Sequence, residues 1–298
     1  MTEPHAARTT DQANGVMRAP YESRAVVGSG SAQSWGIAVE APVEIRLNGE
    51  PWTVMLATPA DLEELAIGLA LTERVLRDAA HVVRVEIAEF LREISVDLVV
   101  SEGGVDREAV RKRGMAGATG CGLCGVESLA ELGRGRGDYA IGQALSAIGD
   151  GLSAIGDGGV LRAFEQLPRY QPINAATRSV HAAAWCTTAG EIVLAREDVG
   201  RHNALDKLIG AMARRGLLRD NGFIVMTSRC SYELVAKTSR TAAQLLATIS
   251  APTTMALEWA TELGISLVCC LRQDGEARVI HFPPEHPERN SSEAPHAA

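Results

Sequence analysis

The stretch GFIVMTSRCSYELVAKTSRTAAQLLATISAPTTMALEWATELGISLVCCL, residues 222–271, decides the fold that the sequence predicts. Apolar runs typical of buried strands alternate in it with longer amphipathic segments typical of helices. The predicted strands are 222–227, 247–250 and 265–271, and the predicted helices are 231–246 and 253–263. The pattern extends outward, with strands at 182–186, 191–196 and 278–282 and a helix at 202–215. Strands that alternate with helices indicate an α/β layer with a largely parallel sheet.

A smaller unit precedes this layer. Asn48-Gly49 lies between the strand-like segments 44–47 and 52–56, and this dipeptide strongly favours a tight hairpin. Thr58 and Pro59 have the order of a helix N-cap and first helical residue, so a helix is predicted from there to about residue 76. Two further strands are predicted near 81–87 and 94–100, which makes the unit mostly β.

These patterns divide the chain into five predicted segments. They are a disordered leader (1–34), a β-rich N-terminal domain (35–100), a flexible glycine-rich loop (101–137), an α/β domain (138–282) and a disordered tail (283–298).

Composition excludes several classes of protein. Of the 298 residues, 46% are hydrophobic, which is enough to bury a sizeable core. The net charge of −8 disfavours broad binding to duplex nucleic acid. No apolar run approaches the ~18 residues of a membrane-spanning helix, and the first residues carry no signal-peptide core. We therefore expect a cytosolic protein, off the membrane, whose six cysteines are not held in disulfides.

Cys121 and Cys124 form a Cys-x-x-Cys pair among glycines in the predicted loop. Four interpretations stay open from the residues alone. A structural zinc site needs four ligands, and no second such pair exists. A thioredoxin-type dithiol normally begins a helix. A persulfide carrier needs an exposed, reactive thiol and fits best, while an incidental pair is the fourth interpretation.

Three strand-to-helix loops, 197–201, 228–231 and 251–253, are predicted at the carboxyl ends of the sheet strands, where ligands bind in α/β folds. Arg201, Ser228 and Arg229 are the candidate binding residues, because arginine forks and helix N-termini favour anions. The alternative is that both arginines pair with Glu197, Asp198 or Glu233. His181 is interpreted as structural, and no metal site is predicted.

Four motifs occur in an order that identifies a family. They are Cys121-Gly122-Leu123-Cys124-Gly125, the block EDVGRHNALDK at 197–207, SRCSYE at 228–233 and Ser250-Ala251-Pro252-Thr253. Over residues 36–282 the chain resembles the formate dehydrogenase accessory sulfurtransferases, the FdhD/NarQ family. One departure is Thr177-Arg178-Ser179, where the family usually has Thr-Gly-Gly, and it is expected to reshape one wall of the site.

The resemblance implies a cytidine deaminase-like α/β domain and a homodimer. It implies that Cys121 and Cys124 carry sulfur from a cysteine desulfurase to the molybdenum cofactor, a bis(molybdopterin guanine dinucleotide), for formate dehydrogenase. This cofactor would be cargo, and no permanent cofactor is expected. The guanine dinucleotide would lie against Cys270, Leu271, Arg272, Gln273, Asp274 and Gly275. The alternatives are a cofactor chaperone that carries no sulfur and a dithiol oxidoreductase.

Overall fold

A computed structural model describes residues 10–11, 15–23, 31–90, 93–110, 155–273 and 276–282. Within these ranges no helix is both long and apolar enough to cross a membrane.

The larger unit is built on a six-stranded sheet. Its strands are β8 (His181–Cys186), β9 (Ile192–Asp198), β10 (Phe223–Met226), β11 (Leu245–Thr248), β12 (Ser266–Gln273) and β13 (Glu276–Phe282). Their spatial order is β13-β12-β11-β10-β8-β9. The three strands joined by helices, β10, β11 and β12, are parallel, as the alternation predicts.

The sheet as a whole is mixed rather than largely parallel. β9 pairs antiparallel with β8, β8 with β10, and β13 with β12. Two of these pairings follow from the length of the connections, because short links join β8 to β9 and β12 to β13 and a short link returns the chain antiparallel.

Helices cover both faces of this sheet. They are α2 (Asp157–Gln166), α3 (Pro172–Thr177), α4 (Arg201–Arg214), α5 (Tyr232–Thr238) and α6 (Thr254–Leu263). Apolar side chains of α4, α5 and α6 fill the core on one face, and those of α2 fill a smaller core on the other. The predicted α/β class is therefore confirmed.

The predicted helix at 231–246 is too long, because α5 ends at Thr238. Beyond it, the Ser239 hydroxyl donates to the Ala236 carbonyl at 2.7 Å and the Thr241 hydroxyl donates to the Thr238 carbonyl at 2.8 Å. Such local bonds from serine and threonine compete with a continuing helix.

The smaller unit contains a four-stranded sheet and one helix. The strands β4 (Ala41–Leu47), β5 (Glu50–Ala57), β6 (Val82–Phe90) and β7 (Glu93–Val100) lie in the order β5-β4-β7-β6, and α1 spans Leu62–Thr72. The predicted hairpin is confirmed, since Asn48 and Gly49 have φ of 51° and 83° between β4 and β5.

The predicted leader and the predicted start of α1 need correction. A three-stranded sheet of β1 (Thr10–Asp11), β2 (Val16–Ser23) and β3 (Ser31–Ala38) lies largely within residues 1–34. Composition did not predict these strands, because the backbone hydrogen bonds that pair β2 with β3 form whatever the hydropathy of the side chains. α1 begins after Asp61 rather than Thr58.

The two units share one core, because α1 packs tightly on α4. A Cβ atom on Gly68 of α1 would lie 1.8 Å from the Asp206 carbonyl oxygen, and one on Gly210 of α4 would lie 1.9 Å from the Glu64 carbonyl oxygen. Glycine at both positions permits a backbone approach that no other residue allows.

Candidate functional site

Four strands end at one edge of the six-stranded sheet, because β9, β10, β11 and β12 run in the same direction. β8 runs oppositely and begins there at His181, which pairs in register with Asp198. We call this side of the sheet the carboxyl edge. Arg201 follows β9 and Ser228 and Arg229 follow β10, so the topology brings all three predicted binding residues to it. Ligand binding by them stays a prediction.

Two of the acidic residues that could neutralise these arginines have other partners. The Glu197 carboxylate accepts hydrogen bonds from the amides of Ile173 (2.9 Å) and Asn174 (2.8 Å) at the start of α3. Burial raises the pKa of Glu197, and the two amide bonds oppose that shift. Asp198 Oδ2 lies 2.6 Å from Lys207 Nζ, with both side chains wholly buried.

The third acidic residue, Glu233, faces a histidine. Its Oε2 atom lies 2.7 Å from His202 Nε2, at an angle that does not satisfy hydrogen-bond geometry. Among the described residues, neither Arg201 nor Arg229 forms an ion pair with Glu197, Asp198 or Glu233. The structural alternative for the two arginines is therefore not realised in the part of the chain that the structure describes.

Arg201 places a positive charge at the start of α4. The first turn of α4 holds no acidic residue, and the Asp198 carboxylate accepts a hydrogen bond from the amide of Gly200, the residue before the helix, at 2.8 Å. A helix N-terminus already carries a partial positive charge, so cations there are unfavourable unless an anion offsets them. The Nε atom of Arg201 is shielded from solvent and has no hydrogen-bond partner among the described residues.

His181 shares this electropositive environment. Burial, and then the charges of Arg201 and His202, lower the pKa of His181, while Asp198 opposes the shift. The imidazole is therefore neutral near pH 7 and can donate one hydrogen bond and accept another. From the sequence, His181 was interpreted as structural. The sequence did not indicate that His181 lies near Arg201, because β8 and α4 are separate elements along the chain.

The loop after β10 is anchored to the loop after β11. The buried Ser228 hydroxyl donates to the Arg229 carbonyl at 3.0 Å, and the Arg229 side chain is exposed. Cys230 forms an isolated parallel β-bridge with Pro252, and the Cys230 carbonyl accepts a hydrogen bond from the Thr253 amide at 3.1 Å. Burial raises the pKa of Cys230 to about 12, so its thiol stays protonated and unreactive near neutral pH.

The remaining predicted residues lie either in β12 or outside the described residues. Cys270 is buried in β12, which continues through Leu271 and Arg272 to Gln273 and so ends at the carboxyl edge. Asp274, Gly275, Cys121 and Cys124 lie outside the described residues.

The smaller unit supports the carboxyl edge through Thr58, which sequence reasoning interpreted as a helix cap. The Thr58 amide donates to Asp198 Oδ2 at 3.0 Å, and its hydroxyl accepts from the Val199 amide at 3.1 Å. Lys207 Nζ donates to the Thr58 carbonyl at 2.9 Å. These bonds hold the end of β9 and the start of α4 against the chain entering α1.

A second buried network joins the end of α1 to α4 and α5. Lys237 Nζ lies 2.9 Å from both carboxylate oxygens of Asp206 and donates to the Thr72 hydroxyl at 2.9 Å. Asp206 and Lys207 lie on the buried face of α4, among apolar residues. Charged residues are rarely buried unless they are paired, so their place in this apolar pattern was the sequence signal for both networks.

Arg178 changes the site wall less than its size suggests. It terminates α3 with φ of 55°, the left-handed conformation that glycine adopts most readily, and its side chain is exposed. The backbone therefore keeps the conformation typical of the glycine usual at this position, and the bulk of the arginine points to solvent.

Comparisons with known proteins give one answer. A sequence model of the FdhD/NarQ family matches residues 38–282. The chain is 44% identical over 238 residues to the sulfur carrier protein FdhD of Variovorax paradoxus, covering 80% of this chain and 82% of that one. It is 40% identical over 259 residues to the sulfur carrier protein FdhD of Bordetella bronchiseptica, covering 87% and 88%.

A solved structure shares the fold. It is that of a protein proposed to be a formate dehydrogenase accessory protein from Desulfotalea psychrophila, with a TM-score of 0.64 and 20% identity. The match covers 92% of this chain and 99% of that one.

Proposed function

The chain belongs to the FdhD/NarQ family, and from that membership we propose that it is a sulfur carrier and sulfurtransferase in the maturation of a formate dehydrogenase. Two relatives are named sulfur carrier proteins, and this chain matches each of them over more than four-fifths of its length. The sulfur would come from a cysteine desulfurase and pass to a molybdenum cofactor with guanine dinucleotide groups.

One structural observation supports the part of this proposal that concerns binding of the cofactor. Arg201, Ser228, Arg229 and the end of β12 converge on the carboxyl edge, and the guanidinium of Arg201 has no acidic partner among the described residues. Such an edge suits the phosphate groups of a nucleotide, because arginine and helix N-termini supply charge-assisted donors. The cargo would lie across the ends of β9, β10 and β12.

Cys121 and Cys124 would carry the sulfur. The Cys121 thiolate attacks the outer sulfur of the desulfurase persulfide, forming a Cys121 persulfide and releasing the desulfurase thiolate. The Cys124 thiolate then attacks the inner sulfur of that persulfide and releases the outer sulfur as hydrosulfide for the molybdenum. This step leaves a Cys121–Cys124 disulfide, so the dithiol supplies the two electrons that reduce the sulfur. A thiol reductant restores the pair.

The four buried cysteines of the described chain do not suit this chemistry. Burial raises the pKa of Cys186 and of Cys230 to about 12 and raises the pKa of Cys269. Nucleophilic thiols need the opposite environment, one that is accessible and electropositive. These burial effects support the proposal that Cys121 and Cys124, rather than the buried cysteines, carry the sulfur.

The experiment that tests the proposal separates it from a chaperone that binds cofactor and moves no sulfur. Cys121→Ala is compared with Cys230→Ala for binding of guanosine diphosphate and for activation of a formate dehydrogenase that depends on the protein. We expect both variants to bind the nucleotide and only Cys121→Ala to fail in activation. Full activation by Cys121→Ala and by Cys124→Ala would overturn the sulfur-carrier proposal in favour of the chaperone.

A further inference from the structure

The four-stranded sheet has two edge strands, β5 and β6, and they differ in how they are protected. β5 contains Pro51, and the Leu56 carbonyl in β5 accepts a hydrogen bond from Asn203 Nδ2 of α4 at 2.9 Å. Proline and contacts of this kind keep an edge strand from pairing with another chain. β6 contains no proline, and no strand pairs with its outer edge in the part of the chain that the structure describes.

β6 exposes large apolar side chains. Val83 is 63% exposed and Ile87 is 43% exposed. Val85 and Ile87 pair in register with the buried Leu98 and Val96 of β7, so they lie on the core face of the sheet. Val83 lies where the register of β6 against β7 shifts. A long edge strand with exposed apolar residues is a template for pairing with a further strand.

A groove of about 680 Å³ lies between β6 and the end of α4. Val83 and Val85 line it together with Leu218, which follows α4. Its charged lining consists of Arg84, Arg214 and Arg219 against Glu63 and Asp78, so positive charge is in excess. An acidic side chain brought to this groove would therefore be favoured.

The other face of β6 carries charges of alternating sign. Arg84 and Glu86 pair with each other at 2.6 Å, and both side chains are more than half exposed. When two copies of β6 pair antiparallel with Val85 at the centre, Arg84 of each copy lies opposite Glu86 of the other. The same register places Val83 of each copy opposite Ile87 of the other.

This register is favoured over its neighbours. Opposite charges and apolar pairs directly across antiparallel strands are stabilising, and like charges are destabilising. Moving the centre by one residue in either direction would place Arg84 opposite Arg84, or Glu86 opposite Glu86. The sequence of β6 is therefore complementary to itself about Val85.

We propose that β6 is an interaction surface for a second copy of this chain, which pairs with it antiparallel about a twofold axis at Val85. The pairing joins two four-stranded sheets into one, satisfies the backbone groups of both edges and covers Val83 and Ile87. It also brings Glu89 of the second copy to the start of β6, beside the arginines of the groove. The proposal goes beyond the proposed function and uses no residue of the carboxyl edge.

The test is sedimentation equilibrium of the full-length protein between about 1 and 100 µM. We expect the wild type to have twice the mass of one chain. Ile87→Lys should raise the dissociation constant by about tenfold or more, because it places a charge opposite Val83 of the second copy. The matched control is Val54→Lys on β5, which is 52% exposed and should dimerise as the wild type does.

Two charge variants separate pairing between copies from pairing within one copy. Arg84→Glu and Glu86→Arg each break the intrachain pair and place like charges across the proposed interface, so each alone should dimerise about tenfold more weakly or worse. Mixed in equal amounts, they place opposite charges across both contacts and should form a heterodimer, although the intrachain pair stays broken in each.

A merely structural role for Arg84 and Glu86 would give no recovery on mixing. That result, a monomeric wild type at the highest concentration, or a dimer that Ile87→Lys and both charge variants leave intact would overturn the proposal.

Discussion

Lys207 Nζ and Asp198 Oδ2 lie 2.6 Å apart, and both side chains are wholly buried. The pair is shared by the two units, because Thr58 donates its amide to the same carboxylate oxygen and accepts from the same ammonium group. Asp198 ends β9 and Lys207 lies within α4, so the pair fixes the loop that carries Arg201. The geometry of the candidate site thus depends on a charge pair that never contacts solvent.

Lys207→Met should lower the free energy of unfolding by about 3–5 kcal/mol, since it leaves the Asp198 carboxylate buried without a counter-charge. The matched control is Arg214→Met. Arg214 pairs with Glu63 at 2.6 Å, but these side chains are 49% and 40% exposed, so the loss should stay below about 1 kcal/mol. Denaturant unfolding of both variants measures the difference. Equal losses would show that the buried pair does not stabilise the junction.

Gly68→Ala should destabilise the protein by about 3 kcal/mol or more, because the new methyl group would overlap the Asp206 carbonyl and push α1 away from α4. Gly158→Ala is the control. Gly158 lies in α2 with open space around its Cβ position, so alanine there should leave stability within about 1 kcal/mol of wild type or raise it. Thermal unfolding checks both. A wild-type midpoint for Gly68→Ala would contradict the close approach of the helices.

Stability should fall as the pH is lowered through the ordinary His181 pKa of 6.5. The folded protein holds the pKa of His181 lower, so in this window the unfolded chain binds a proton that the folded chain does not. Above 6.5 both states are neutral at this position and the penalty is absent. His181→Asn should therefore lose less stability than wild type between about pH 7.5 and 5.5.

Thermal midpoints across this pH range measure that effect. An anion bound beside Arg201 would offset the positive charges that lower the His181 pKa, so pyrophosphate should reduce the wild-type loss. A pH dependence that His181→Asn leaves unchanged would show that this imidazole does not carry it.

Local pattern was sufficient for the parts of the fold that depend on neighbouring residues. Alternating strands and helices predicted β10, β11, β12 and the intervening helices, and Asn48-Gly49 predicted its hairpin. The same alternation predicted that Arg201, Ser228 and Arg229 follow strand ends. Because the strands they follow run in the same direction, the three residues lie at one edge of the sheet.

The relationships that local pattern missed connect distant residues. Thr58 has the sequence context of a helix cap, but its amide bonds to Asp198, 140 residues away in the chain. The free hydroxyl of Ser231 gives a similar case, because serine before a helix predicts capping and only the structure shows that the bond is missing. Pairing of β8 with β10 is likewise a long-range choice that periodicity does not encode.

The most direct test of the sulfur-carrier proposal is the intact mass of the protein after incubation with an active cysteine desulfurase and L-cysteine. We predict a gain of one sulfur atom that a thiol reductant removes, that Cys121→Ala lacks and that Cys230→Ala keeps. No gain with a desulfurase shown to be active, or an equal gain in the Cys121→Ala and Cys124→Ala variants, would contradict the proposal that this pair carries the sulfur.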